Sequence, residues 1–279
     1  ILDNDIDTVF WNKDYEPYAR KRDCEIHKLL TSKNIKVKTF KDQVVFEEFE
    51  VVKDDKKPYT VFTPYKKKWL STYRALFFHG SKKNNDIVNF LNFFKKKTDI
   101  FSLKDLGFIK SGLKVKNFNL DYISSYDSIR DFPCEDKTSY LSPHLRFGSI
   151  SVRKCIDIAM HKNTTFLSEL IWREFFMQIL FHFPQVETSC FKYKYEKIKW
   201  QNNQNDFDKW CNGLTGYPLV DAGMRQLNET GYMHNRVRMI TASFLVKHLL
   251  IDWRWGERYF ATKLLDYDLS SNNGNWQWA

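Results

Sequence analysis

Several features that mark common protein classes are scarce or missing in this sequence of 279 residues. Its five cysteines are an odd number and form no CxxC pair, which counts against a disulfide scaffold or a zinc site and favours a reducing compartment. No run of about 18 apolar residues predicts a membrane span, and no signal peptide is visible. The Walker and GxGxxG phosphate-binding motifs are missing as well. We therefore expect a cytoplasmic protein of prokaryotic type, with no metal site and no membrane association.

Basic charge and tryptophan are what the sequence has in excess. Lys and Arg number 44 against 34 for Asp and Glu, which gives a net charge of +10. That charge suits a polyanionic partner such as nucleic acid, although a coding bias towards Lys and Asn accounts for it equally well. Seven of the nine tryptophans lie at or after Trp172. Because an indole N–H needs a hydrogen-bond partner when buried, this clustering indicates roles beyond packing.

The first part of the chain has the pattern of a parallel α/β unit. Residues 8–11 and 36–40 predict two short strands, and residues 18–30 between them predict a charged helix. Two strands are too few for a doubly wound sheet, so we expect only part of such a domain. Residues 81–97 are rich in Lys and Asn and predict a linker, with a short helix at 87–94.

From about Tyr122 onward the pattern is helical, so the predicted fold is mainly α, with a partial α/β domain in front. Gly213, Gly216 and Pro218 predict a turn between helices. The predicted helices are Phe166–Phe183, Val220–Leu227, Arg236–Leu250 and Glu257–Leu265. The predicted domains are 1–75 (α/β), 76–118 (linker) and 119–279 (helical).

Four polar segments in the helical part are candidates for function. In the first, Thr138, Ser139 and Ser142 precede a helical stretch, where hydroxyls and free backbone N–H groups suit a phosphate or diphosphate. Taken alone, this segment is explained better by an ordinary Ser/Thr helix cap.

In the second segment, Glu169, Trp172 and Arg173 share one face of a predicted helix. A carboxylate, a flat ring and a guanidinium together suit stacking of a base and hydrogen bonding to its polar edge. The alternative is a surface ion pair beside a core tryptophan, and by itself this alternative is favoured.

In the third segment, Asn235, Arg238 and Met239 take neighbouring helical positions. Arg236 points away from Arg238, so one arginine suits a phosphate outside and the other an ion pair inside. His234 has no second metal ligand at a useful spacing, and a simple polar histidine is favoured.

The fourth segment carries Asp266 and Asp268, followed by Asn272, Trp276 and Trp278. A buried Asp–Arg pair with the third segment is expected, and such pairs are seldom kept for stability alone. Since no Ser–His–Asp or Cys–His arrangement is evident, the pattern favours a cofactor pocket over side-chain acid–base catalysis.

Together, in order and spacing, these segments resemble the photolyase/cryptochrome family from about Trp11 to Ala279. The resemblance implies FAD bound in a U shape within an all-helical domain, after the remnant of a Rossmann-like antenna domain. The residues that match the family's flavin contacts are Tyr126, Thr138, Ser139, Tyr140, Leu141, Ser142, Arg238, Asp266, Tyr267, Asp268 and Asn272.

The same resemblance assigns the remaining polar and aromatic residues. An electron-transfer chain from the flavin to the surface is matched by Trp276, Trp253 and Trp200. A pocket for a flipped pyrimidine dimer, and the DNA contacts around it, are matched by Glu169, Trp172, Arg173, Asn235, Met239, Trp278, Arg130 and Arg236. Glu169 and Asn272 are thereby implied in catalysis beside the tryptophans.

Within the family, the sequence is most similar to class I enzymes that split cyclobutane pyrimidine dimers in UV-damaged DNA under blue light. Enzymes for (6–4) lesions have histidines where Asn235 and Met239 stand, and Asn272 suits a reduced, repair-competent flavin. The alternatives are a cryptochrome-like photoreceptor and a helical nucleic-acid-binding protein without a cofactor. The second chromophore is left open between deazaflavin and methenyltetrahydrofolate types.

The ends of the chain indicate a fragment. It begins with Ile1 rather than Met and stops just after NGNWQW. We expect a monomer truncated at both ends, with most of the antenna domain and the last helices of the flavin domain missing.

Overall fold

The computed structural model describes residues 6–77 and 100–279. The predicted linker 81–97 and its short helix lie outside the described residues. Among the described helices, none has both the length and the apolar character needed to cross a membrane.

The α/β unit predicted near the start of the chain is confirmed. Strands β1 (Thr8–Asn12) and β2 (Lys36–Phe40) pair in parallel, with Thr8 opposite Lys36 and Asn12 opposite Phe40. Helix α1 (Pro17–Ser32) connects them, and Pro17 starts it where the missing N–H costs no helical hydrogen bond.

The mainly α fold is also confirmed, because ten further helices and no further strand follow in the described part of the chain. They are α2 (Phe62–Phe77), α3 (Tyr126–Ile129), α4 (Leu141–Arg146), α5 (Val152–Lys162), α6 (Thr164–His182), α7 (Gln204–Asn212), α8 (Pro218–Thr230), α9 (Asn235–Ser243), α10 (Trp253–Lys263) and α11 (Leu269–Gln277). Short 3₁₀ turns lie at Asp121–Ser125, Pro133–Glu135, Pro184–Glu187 and Tyr193–Lys197.

The helix predicted over 236–250 is confirmed in most of its length, but it changes type, because α9 ends at Ser243 and continues directly into a π-helical turn, Phe244–His248. Leu250 then takes a positive φ of 49° and turns the chain so that Ile251 is buried. The sequence pattern does not distinguish the π-helical turn from the α-helix before it.

Helix α11 was not predicted, since its sequence is rich in Ser and Asn, which are poor helix formers. Its N-cap Asp268 accepts a hydrogen bond of 2.8 Å from the Ser271 N–H. Gly274 lets it approach α6 closely, because a Cβ there would lie 2.2 Å from the Phe176 ring. Tertiary packing therefore stabilises a helix that local propensity does not favour.

The described core has two main apolar clusters, and α6 and α11 pack together between them. The first surrounds α6 and includes Phe46 and Trp69 from the earlier part of the chain. The second surrounds α8 to α11 and includes Trp210 and Trp276. The surface where α6 meets α11 is where the predicted functional segments converge.

Glu174 of α6 is a fully buried carboxylate inside the first cluster. It accepts hydrogen bonds from the Val45 N–H at 2.6 Å, the Phe46 N–H at 3.1 Å and the Trp69 indole at 2.7 Å. Burial raises the pKa of Glu174 to about 7, and these donors oppose that shift. The carboxylate thus attaches the segment after β2, and α2, to the helix that carries Trp172.

Candidate functional site

Two adjoining cavities open where α4, α6, α9 and α11 meet, with volumes of ≈ 500 Å³ and ≈ 300 Å³. Cavities of this size suit a cofactor or a comparable ligand. The residues that line both are Asn235, Arg238, Met239, Asp266, Asp268, Ser271, Asn275 and Trp278.

Most of the residues singled out in the sequence lie on these walls. The larger cavity is lined by Tyr126, Arg130, Thr138, Ser139, Tyr140, Leu141, Ser142, Glu169, Trp172, Arg173 and Arg236, besides the shared residues. The smaller cavity adds Tyr267, Asn272 and Trp276. Trp253 and Trp200 line neither of these two cavities.

Arg238 and Asp266 form an ion pair of 2.8 Å that both cavities share. Ser142 donates a second hydrogen bond to the same carboxylate oxygen, Oδ2, at 2.5 Å. Burial lowers the pKa of Arg238, but the Asp266 carboxylate outweighs it and the pKa is raised. Among the described residues no donor reaches the buried Asp266 Oδ1. A buried acceptor without a donor fits a ligand that presents an N–H or hydroxyl here.

Asp268 is a second buried carboxylate at the start of α11. Burial raises its pKa, but the Arg173 guanidinium and the Ser270 and Ser271 donors outweigh burial and the pKa is lowered. Arg146 adds an ion pair at 3.3 Å. Asp268 therefore stays ionised, with cations on the protein side of the cavity wall.

Arg173 faces the protein interior as well as the cavity. Its guanidinium donates a hydrogen bond of 2.6 Å to the Gln43 carbonyl, and burial lowers its pKa. Unlike Arg173, which reaches into the protein interior, Asn235 and Met239 of α9 are exposed at the edge of the cavity.

Asn272 lines the smaller cavity, and its amide is held by Glu257 of α10. The Asn272 Nδ2 donates to the Glu257 carboxylate at 2.9 Å and to its backbone carbonyl at 3.2 Å. Burial raises the pKa of Glu257. With its N–H₂ group held by Glu257, Asn272 is left to present its carbonyl oxygen. The sequence had not singled out Glu257, whose only signal was a charged residue within a predicted helix.

A row of rings supports the two tryptophans predicted to clamp a ligand. Trp172 stacks on Phe62 with ring centroids 3.6 Å apart, and Trp278 stacks on Phe191 at 5.7 Å. Phe176 lies between them, 5.3 Å from Trp172 and 5.8 Å from Trp278. Phe62, Phe176 and Phe191 carried no functional signal in the sequence.

The two arginines predicted to meet DNA are each held by a carboxylate at the rim of the larger cavity. Arg130 pairs with Glu169 at 2.8 Å, and Arg236 hydrogen-bonds Asp131. Asp131 also lies 3.8 Å from Arg130. The sequence analysis assigned no role to Asp131.

The three tryptophans of the predicted electron path lie in or against the second core cluster. Trp276 and Trp253 are buried, and Trp200 is half-buried. The chain beside Trp200 is attached next to the start of α10, because the Gln201 N–H donates to the Leu250 carbonyl at 2.8 Å.

His234 caps α9, since its Nδ1 accepts a hydrogen bond of 3.2 Å from the Arg236 N–H. Burial lowers the pKa of His234, and the charges of Arg236 and Arg238 lower it further. The neutral imidazole needed to accept this bond is thereby favoured.

Two protein-family models match the chain. The model of DNA photolyase matches residues 2–83, and that of the FAD binding domain of DNA photolyase matches residues 166–279. Together they include the α/β unit and the helices α6 to α11.

The chain is similar to deoxyribodipyrimidine photo-lyases of several bacteria. It is 38% identical to that of Alkalihalophilus pseudofirmus, over 99% of this chain and 61% of the relative. The protein from Escherichia coli is 37% identical, with 99% and 62% covered. The chain thus spans about three fifths of the length of the curated relatives it matches.

Solved structures of photolyases are also similar to this chain over nearly its whole length. A class III photolyase from Agrobacterium tumefaciens superposes with a TM-score of 0.80 at 35% identity, over 98% of this chain and 61% of that one. An archaeal photolyase from Sulfolobus tokodaii, solved with two FAD molecules, has a TM-score of 0.76 at 34% identity, with 99% and 62% covered. A Synechocystis cryptochrome at 24% identity shares the fold.

Proposed function

Because this chain belongs to the DNA photolyase family, we propose that it takes part in light-driven repair of cyclobutane pyrimidine dimers in UV-damaged DNA, with FAD as cofactor. The observation that carries the proposal is the Arg238–Asp266 pair shared by the two cavities. Its unpaired buried oxygen and the hydroxyl of Ser142 suit the ring N–H and ribityl hydroxyls of a flavin. When bound, reduced FAD supplies the light-excited electron that splits the dimer.

In this proposal the chain's own residues bind and orient the two partners. Arg238, Asp266 and Asp268 would hold the flavin, and Asn272 would present its carbonyl towards it. On the lesion side, Trp172 and Trp278 offer aromatic surfaces for the flipped bases. Fixed donors and acceptors such as these need little rearrangement during the reaction.

The rim of the larger cavity would meet the DNA. Arg130 and Arg236 are cations at the cavity rim and suit phosphates that flank the lesion. Glu169, which Arg130 holds in the free protein, would hydrogen-bond the dimer. If Arg130 moved from Glu169 to a DNA phosphate, the Glu169 carboxylate would become available to bind the lesion.

The electron path proposed for flavin photoreduction runs from Trp276 through Trp253 to Trp200. It is supported by the shared core cluster and by the change from buried to half-buried rings along it. We also propose that the chain divides into domains at residues 75 and 118 and acts as a monomer, with a second chromophore of either the deazaflavin or the methenyltetrahydrofolate type.

The test is light-dependent repair by the full-length protein. Purified protein should carry flavin and remove cyclobutane dimers from UV-treated DNA under blue light, with no removal in a matched dark sample. Asp266→Asn should lose flavin, because a neutral amide no longer forms an ion pair with the half-buried Arg238. Bound flavin without light-dependent loss of dimers would instead favour the cryptochrome-like photoreceptor.

A further inference from the structure

One face of the Trp172 ring is covered by Phe62 of α2. The ring centroids lie 3.6 Å apart and the ring planes differ by 8°, so the two rings overlap face to face. Both side chains are half-buried. The face of Trp172 that Phe62 covers is therefore closed to a base.

This overlap is imposed by the packing of α2 against α6. Isolated aromatic pairs prefer offset or edge-to-face arrangements to a full sandwich. Phe62 also meets the Phe175 ring edge-on at 5.8 Å, and Phe175 in turn meets Trp172 edge-on at 5.5 Å. Since Glu174 attaches α2 to α6 through Trp69, the position of Phe62 is fixed by buried contacts on both helices.

Phe62 does not touch the cavity itself. Trp172 is among the described residues that line the larger cavity, and Phe62 is not. A role for Phe62 in binding would therefore act through the orientation of the Trp172 ring.

We propose that Phe62 is a positioning residue that holds the Trp172 ring ready to receive a flipped base. The inference rests on the proposed function, because it requires the larger cavity to take a damaged dinucleotide. A ring already fixed in place loses less conformational freedom when a base stacks on it, so the complex is stabilised. Undamaged duplex binds through its phosphates and leaves the cavity empty. Its affinity therefore does not depend on whether the Trp172 ring is held in place.

The experiment compares three variants of the full-length, flavin-loaded protein in the dark. Phe62→Leu removes the flat ring and keeps an apolar side chain, whereas Phe62→Tyr keeps the ring. Tyr73→Leu is the matched control, because Tyr73 of the same helix stacks on the indole of Trp69 with centroids 5.1 Å apart and planes 7° apart. Dissociation constants are measured for a duplex with one cyclobutane thymine dimer and for the same duplex without it.

In Phe62→Leu the preference for the damaged duplex should fall roughly three- to ten-fold, the usual worth of one ring contact or one ordered side chain. Its affinity for undamaged duplex should stay unchanged. Phe62→Tyr should keep the preference, and Tyr73→Leu should keep it despite losing a similar stack. Denaturant unfolding curves of all three variants measure how much each substitution lowers the free energy of unfolding.

The proposal is overturned if Phe62→Leu keeps the preference of the wild type. It is equally overturned if Tyr73→Leu lowers the preference as much, because the effect would then come from general loosening of α2. A wild-type protein that carries flavin but shows no preference for the damaged duplex would reject the lesion-binding part of the proposed function itself.

Discussion

The amide of Asn272 donates a hydrogen bond of 2.9 Å to the Glu257 carboxylate, and this bond decides which end of the amide faces the cavity. The two residues lie on adjacent helices, α11 and α10, which pack against each other. Glu257 is thus a positioning residue for the side chain proposed to face the flavin.

Glu257→Ala should shift flavin-loaded protein towards the oxidised state. Without the carboxylate the Asn272 amide keeps only the 3.2 Å bond to the backbone carbonyl of residue 257, so it flips more readily. A flipped amide presents its N–H₂ group, which favours an unprotonated flavin nitrogen. The change should be worth about 1 kcal/mol, the net value of one hydrogen bond. Potentiometric titration followed at the flavin absorption band measures it. Glu229→Ala, at an exposed site on α8, is the control and should leave the potential unchanged.

Stability should depend on pH through Glu174. Its folded pKa of about 7 lies above the ordinary value of 4.5. As pH rises through this window the unfolded chain releases a proton that the folded protein keeps, so the free energy of unfolding falls. The total loss is roughly 3 kcal/mol, complete once pH passes the folded pKa.

Glu174→Gln isolates this effect, because glutamine does not titrate. The variant loses acceptor capacity towards Val45, Phe46 and Trp69, and is expected to be less stable at pH 5. The advantage of the wild type should shrink by roughly 3 kcal/mol between about pH 4.5 and 7.5 in denaturant unfolding. An advantage that is constant with pH would contradict the raised pKa.

Asp131→Asn should strengthen binding to undamaged duplex and steepen its salt dependence. Asp131 neutralises Arg236 at the cavity rim, and its pKa is lowered chiefly by the hydrogen bond from that arginine. Without the carboxylate one more cation becomes available to phosphate, so the slope of log affinity against log salt should grow by about one.

The control removes an equal charge elsewhere. Asp157→Asn on α5 alters an exposed carboxylate that lies 4.0 Å from His161 and lines neither cavity. Its slope should match that of the wild type. Equal slopes for the two variants would mean that net charge alone, and not release of Arg236, sets the affinity.

Trp276→Phe should block photoreduction of oxidised flavin while leaving repair by chemically reduced protein largely intact. Trp276 is buried, lines the smaller cavity and has the first place in the proposed electron path. Trp255→Phe is the comparison, because Trp255 packs against the same core cluster without lining either cavity. Absorption spectra under blue light follow the reaction, and photoreduction that persists in Trp276→Phe would exclude the proposed path.

Much of the fold could be predicted because several helices and strands show a periodic pattern within their own segment of the sequence. The β-prone residues of β1, the alternation in β2, the helix between them and the apolar run of α6 each lie within one segment, and all were predicted. Helices α2, α3, α5, α7 and α11 were missed. For α11 the reason is that its residues have weak intrinsic preference, and packing against α6 stabilises it.

Residue identity and order establish which chemical groups are present, and these are enough to recognise the family that the chain matches. The sequence also indicated that Arg238 and an acidic residue near the end of the chain would pair. The tertiary structure alone decided the supporting contacts: Phe62 behind Trp172, Glu257 beside Asn272, and Asp131 against Arg236. Two of these three join residues more than a hundred positions apart. No local pattern encodes such contacts, because they arise from how the helices pack.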